Sequence, residues 1–249
     1  MRNMNYIRSI HPVNGLLLAV SVWAASIAAG AGFVPQATLL GMLSIFLVSG
    51  GGFAINHASE ERASRGLLAY SIVLMLAGII ISYTINTQTF VISIIIAALM
   101  TVYAAKIKKT MIISNLVMAG VAALAFVYGG EIYGIALLPL ALLVFLSITG
   151  LEIYRAVDDA IGEHKYNEHS VAMKLGVIHT RLLGNMFLTA AVIFSFLPYF
   201  IGAGRVYLFF AIIADVFFIV ACIAPAKYSS KMIQTGMLLT VIAFIASSV

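Results

Sequence analysis

The sequence IYGIALLPLALLVFLSITGL, residues 132–151, carries no charged side chain and runs directly into EIYRAVDDAIGE, residues 152–163. An apolar run of about 20 residues is the length a helix needs to cross the hydrocarbon core of a bilayer. The abrupt return of Glu152, Arg155, Asp158, Asp159 and Glu163 marks the point where the chain meets water again. Similar runs cover approximately 13–33, 37–55, 67–86, 89–105, 111–129, 182–202, 206–224 and 231–248, so nine spans are expected. None alternates with period two, which selects helices over a transmembrane barrel. The first run is longer than the roughly 7–15 residues of a signal-peptide core and reads as a retained helix.

Composition agrees. The chain has 249 residues, 63% hydrophobic and 9% charged, with a mean hydropathy of +1.10. An average soluble domain carries about 25% charged residues. So little polar surface cannot cover a globule in water, and lipid tolerates only structures that satisfy their own backbone hydrogen bonds. The expected fold is therefore all-α: a polytopic membrane protein, one transmembrane domain over 1–249, with nine helices in a bundle around a central cavity. The single Cys222 excludes an intrachain disulfide.

The formal net charge of +5 does not point to nucleic acid, because the basic residues abut the apolar runs, as topology alone requires. With the N-terminus in the cytoplasm, Arg2, Arg8, Arg62, Arg65, Lys106, Lys108, Lys109, Arg155, Lys165, Lys174, Arg181, Lys227 and Lys231 all fall inside, and only Arg205 outside. This asymmetry supports an odd number of spans, an external C-terminus and residence in the cell membrane.

Two cytoplasmic segments, near 56–66 and 152–181, concentrate the acids: Glu60, Glu61, Asp158, Asp159, Glu163 and Glu168 lie there. They share a weak repeat, in which Ser49, Gly52, Ile55, Ala58, Glu60 and Glu61 recur as Ser147, Gly150, Ile153, Ala156, Asp158 and Asp159. This suggests two related junctions facing each other across the bundle, with a site between the repeats. On helices continuing from the second and sixth spans, Asn56 and Glu60 would share one face and Asp159 and Glu163 another. Such oxygen-rich faces suit magnesium bridging carboxylates to substrate phosphates, with Arg65, Lys106, Lys108, Lys109, Arg155 and Lys165 holding the remaining phosphate charge. Spacing alone leaves a second reading open, in which Glu61 with Arg65, and Arg155 with Asp158 or Asp159, are merely exposed ion pairs.

The motifs resemble those of the UbiA superfamily of intramembrane prenyltransferases over nearly the whole chain. Ile7-Arg8 through Pro12-Val13-Asn14 is similar to the family's opening segment, and Asn56-His57-Ala58-Ser59-Glu60 through Ser64 occupies the place of its first motif, NDxxDxxxD. Tyr103 to Thr110, then Asn115, resembles the basic loop and asparagine of archaeal lipid-forming members. Most specific is Glu152 to Gly176, which follows REIxKDIxDxxGD…KYG..TLPxxLG in order and spacing. The resemblance implies a nine-span fold and Mg2+-dependent transfer of a polyprenyl group, with geranylgeranyl a candidate, from its diphosphate to a lipid-precursor or aromatic acceptor. It assigns catalytic roles to Asp159, Glu60, Glu163 and Asn56 and metal binding to Glu60, Asp159 and Glu163, beside which Asp158 and Glu61 are candidate substitute metal ligands. It assigns substrate binding to Lys106, Lys109, Arg155, Lys165, Asn115 and Asn14. Its partners would be membrane lipid and polyprenyl diphosphate. Five positions depart from the pattern: His57, Glu60, Ser64, Ala156 and Glu163 stand where aspartates are expected, and only Asp159 matches unchanged. The alternative is an inactive relative that binds prenyl lipid or serves as a subunit of a membrane partner.

Three further features read as structural. Asp215, inside the eighth run, is expected to bond to a neighbouring helix, because a lone acid at that depth is costly. Glu131 reads as a loop charge. Gly50-Gly51-Gly52 lacks the strand and Gly-Lys-Ser/Thr element of a phosphate loop and reads as a close helix contact.

Overall fold

Side chains that are apolar on every face give helices with no reason to stop until a turn residue or a charge appears, and among the described residues eight long helices and one shorter apolar helix result. The computed structural model describes residues 9–31, 35–60, 65–107, 110–161 and 171–247, without the side chains of 59, 60, 111, 201, 226, 227 and 247. In chain order the helices are α1 (Pro12–Ala28), α2 (Gln36–Glu60), α3 (Arg65–Ile85), α4 (Thr87–Ala105), α5 (Met111–Glu131), α6 (Leu138–Ile161), α7 (Val177–Phe194), α8 (Gly204–Ile223) and α9 (Ala226–Ser247), with one extra turn at Val171–Leu175 before α7. The eight helices α2 to α9 are long and apolar enough to cross a membrane. The 17-residue α1 reaches only about 25 Å at 1.5 Å per residue.

Large apolar side chains cover the outer faces of these helices, and small and hydroxyl side chains share the interior with an apolar core. On α3 the buried face is Leu67, Ser71, Met75, Gly78 and Ser82, while Leu68, Ile72, Val73, Leu76, Ile80 and Tyr83 are exposed. In lipid there is no hydrophobic gain from turning leucines inward, so small and hydroxyl side chains make the helix contacts instead.

The ends have local causes. Asn86 alone separates α3 from α4, and its extended backbone lets its carboxamide oxygen accept from the Thr89 N–H at 2.8 Å. A π-turn at Tyr199–Ala203, with Gly202 at φ 110°, makes the reversal into α8. The sixth span is displaced from its expected position. Residues 132–137 form a turn in which the Ile135 N–H bonds back to the Gly130 carbonyl at 3.1 Å, so α6 begins at Leu138 and continues to Ile161. The acids of 152–161 therefore sit on a helix and not in a loop. The seventh span is displaced the other way, starting early at Val177 and ending at Phe194.

The chain divides into two compact units, Met1–Lys108 with Val121–Leu137, and Lys109–Gly120 with Leu138–Val249. In the first, α2 packs on α1, α3 and α4. Gly51 and Gly52 face α3 and α4: a methyl at Gly51 would lie 2.6 Å from the Ser71 carbonyl, and one at Gly52 2.6 Å from the Met100 sulfur. The glycine triplet is thus a packing face. A hydroxyl ladder crosses the same unit, with Ser44 Oγ 2.9 Å from the Gly78 carbonyl and 2.6 Å from Ser82 Oγ, and Ser82 Oγ 2.9 Å from the Tyr128 hydroxyl. In the second unit α6, α7, α8 and α9 close on one another pairwise, around Leu151, Tyr154, Leu188, Phe218, Ala221 and Ile233, with Cys222 packed at the edge.

Candidate functional site

The extension of α6 past Gly150 fixes how the second acidic segment is presented. At about 100° per residue, Ala156 and Asp159 share a face of the helix, whereas Asp158 points about a quarter-turn away. Asp159 is exposed and makes no ion pair with a described residue. Asp158 is half-buried, with Oδ2 accepting from Ser230 Oγ of α9. Its Oδ1 is buried and has no hydrogen-bond partner among the described residues. Arg155 pairs with neither aspartate: its guanidinium donates to Glu152 Oε1 at 2.6 Å. The long side chain leans toward the helix N-terminus, as helical rotamers favour, and this replaces the expected pairing with Asp158 or Asp159.

Around this helix end lie polar contacts that periodicity did not single out. The Tyr154 hydroxyl of α6 donates to Asn185 Oδ1 of α7. Arg181 of α7 donates to the Cys222 carbonyl at 3.1 Å and to the Ala224 carbonyl, where the unpaired carbonyls of the α8 C-terminus favour a cation. Ser229 of α9 is fully buried and donates to the Ala221 carbonyl at 2.9 Å. The signal in the sequence was modest: polar residues at the margins of apolar runs.

The first segment is built differently. Helix α2 runs unbroken to Glu60, which puts Asn56 and Glu60 one turn apart. Asn56 and His57 are half-buried, and the Glu60 side chain lies outside the described residues. Beneath them Ala54, Ala58 and Leu67 pack with Ile10 and Tyr70. Lys106 is exposed at the end of α4, Asn14 is exposed on α1, and Asn115 is half-buried on α5, with Ser114 Oγ 3.5 Å from its Oδ1. Lys109, Glu163 and Lys165 lie outside the described residues. Among those described, no three His, Cys, Asp or Glu side chains come together as a metal site.

Asp215 is 5% exposed and accepts from Ser195 Oγ at 2.6 Å, while the Tyr207 hydroxyl donates to the Ser195 carbonyl at 2.8 Å. The inter-helix bond expected for it is present. Glu131 closes α5, and its carbonyl accepts from Asn86 Nδ2 at 2.9 Å.

These features define an all-helical integral membrane protein with an acidic helix end. The family model of the UbiA prenyltransferase family matches residues 57–247, more than half of the chain. The chain belongs to that family, whose members are prenyltransferases. Digeranylgeranylglyceryl phosphate synthase of Methanosarcina mazei is 31% identical over 231 residues, 82% of this chain and 80% of its own. The Methanosphaera stadtmanae enzyme of the same name is 26% identical over 96% of this chain and 97% of its own. A structure solved in work on digeranylgeranylglyceryl phosphate synthase in membranes superposes with a TM-score of 0.81 at 26% identity, covering 98% of this chain and 97% of that one. A UbiA homologue from Archaeoglobus fulgidus bound to DMAPP and Mg2+ has the same fold, with a TM-score of 0.79 at 16% identity over 98% of this chain and 97% of that one.

Proposed function

We propose that the whole chain acts as one Mg2+-dependent prenyltransferase that transfers a geranylgeranyl group from its diphosphate to a glycerol-phosphate lipid acceptor. Support for the substrate class comes from the digeranylgeranylglyceryl phosphate synthases it resembles. The observation that carries the reading is Asp159, an exposed carboxylate near the described end of α6 with no ion pair to a described residue. Its hard oxygens suit magnesium, which keeps several waters and takes only one or two protein carboxylates beside substrate phosphates. Asp159, Glu163 and Glu60 are the proposed ligands, with Asn56 assisting. Lys106, Lys109, Lys165, Asn115 and Asn14 are proposed to contact substrate. Arg155 would join them by releasing Glu152, an exchange of one exposed ion pair for another that costs little.

In the reaction, the bond between the allylic carbon and the diphosphate oxygen breaks, and the acceptor hydroxyl forms the new carbon–oxygen bond and gives its proton to the released diphosphate. Bound magnesium stabilises the negative charge that gathers on the leaving diphosphate. Lysines beside it add charge-assisted hydrogen bonds, and the apolar helix walls keep water from the reactive carbon. We place the N-terminus and the acidic ends on the cytoplasmic side, from the distribution of basic residues.

The test is purified protein with labelled geranylgeranyl diphosphate, Mg2+ and a panel of glycerol-phosphate and phenolic acceptors. Transfer to a glycerol-phosphate lipid, abolished by chelator, is expected. Ala156, which removes an expected ligand, favours the second reading of a prenyl-lipid-binding relative without turnover. Retention of prenyl lipid with no consumption of any donor would select it.

A further inference from the structure

The four helices of the second unit are tied at one end by a closed ring of polar contacts. Tyr154 joins α6 to α7 through Asn185, Arg181 joins α7 to the carbonyls at the end of α8, Ser229 joins α8 to α9 through the Ala221 carbonyl, and Ser230 joins α9 back to α6 through Asp158. Away from the ring these helices meet largely through small and apolar side chains, such as Gly150 against Leu188 and Gly236 against Phe218, with a separate polar contact from Ser195 at the end of α7 to Asp215 of α8. Of the two, the ring is the one that reaches the end of α6 that carries the acids.

Small-residue contacts leave a helix free to rotate about its axis by some degrees. A directional hydrogen bond to a side chain one residue from Asp159 does not. We propose that Asp158 is a positioning residue and not a metal ligand, and that Ser230 holds it so that the turn of α6 presents Asp159 in a fixed direction. Two observations carry this. Asp158 and Asp159 cannot share a helix face, because adjacent residues diverge by about 100°. One Asp158 oxygen is already taken by Ser230, and the other is buried, which leaves no carboxylate edge open for an incoming ion. In metal sites, partners that orient the ligands typically contribute 10- to 100-fold in affinity or activity.

The inference rests on the magnesium-diphosphate reading of Asp159 and gives Asp158 a different role from that of the substitute metal ligand expected from the sequence. Its test measures binding of labelled geranylgeranyl diphosphate to the full chain in nanodiscs, titrated with Mg2+ and without acceptor. Ser230→Ala should raise the Mg2+ concentration for half-maximal binding by about tenfold, and Ser230→Thr, which keeps a donor, should restore it. Asp158→Asn keeps an acceptor for Ser230 and should shift the midpoint no more than Ser230→Ala does. A Ser230→Ala protein with a lowered melting temperature and an unchanged Mg2+ midpoint would make the contact merely structural and overturn the proposal. Loss of binding in Asp158→Asn as complete as in Asp159→Ala would make Asp158 a ligand and overturn it equally. If wild type shows no Mg2+-dependent binding at all, the functional reading falls and this inference with it, a result distinct from the other two.

Discussion

The two acidic segments resemble each other in sequence, yet their supports differ. At the end of α2, Asn56 and Glu60 rise from a seat of Ala54, Ala58 and Leu67, and the helix below is fitted to its neighbours by Gly51 and Gly52. At the end of α6, Asp158 accepts from Ser230 of α9 and Tyr154 donates to Asn185 of α7, while Arg181 and Ser229 tie those two helices to α8. Close packing fixes the distance between helices, and hydrogen bonds add a preferred direction. The segment that kept its aspartate carries such directional contacts beside it.

Replacing Asp159 with Ala should break this comparison most sharply, lowering Mg2+-dependent transfer by about 100-fold or more. Glu131→Ala, at the far end of α5, should leave turnover within twofold; a steady-state assay in detergent measures both. On the α2 side the largest effect should be mechanical. Gly51→Ala sets a methyl against the Ser71 carbonyl, which has no room to yield, and should destabilise the fold by about 1–3 kcal/mol, seen as a lower thermal midpoint. Tyr154→Phe removes one member of the α6 ring and should cost about 1 kcal/mol, because Asn185 loses its donor. Smallest in size but most informative is Ala156→Asp, which adds a carboxylate to the face of Asp159. A several-fold fall in the Mg2+ requirement would show that this face is the binding face, and an unchanged requirement would count against it.

Much of the fold was legible because lipid imposes a simple rule. Nine apolar runs gave nine helices among the described residues, eight of them long and apolar enough to span, with Asn86 at the last position of the third run; the seventh run was placed too late and took in most of the turn at Tyr199–Ala203. The errors were in where helices stop. Apolar character ends at Leu151, but backbone hydrogen bonding continues to Ile161, since nothing in 152–161 breaks a helix. Residues 132–137 are apolar enough to span, yet Gly134, with φ 73°, makes them a turn. Within the site, Asp159 was legible as a single matched aspartate. The Ser230 contact was not, because the two residues lie 72 positions apart and no local pattern links a hydroxyl at one helix start to an acid at another helix end. The Glu152–Arg155 pair was hidden by a choice among three acids within reach of one arginine, which only side-chain geometry decides.

The central claim is that the acids at the end of α6 hold magnesium and diphosphate for prenyl transfer. The most direct measurement is transfer of labelled geranylgeranyl from its diphosphate, titrated with Mg2+, in wild type and Asp159→Ala side by side. The account predicts saturable, chelator-sensitive transfer in wild type and its loss in the variant at every Mg2+ concentration tested. Equal transfer by the two proteins, or wild-type transfer that does not depend on a divalent ion, would contradict it.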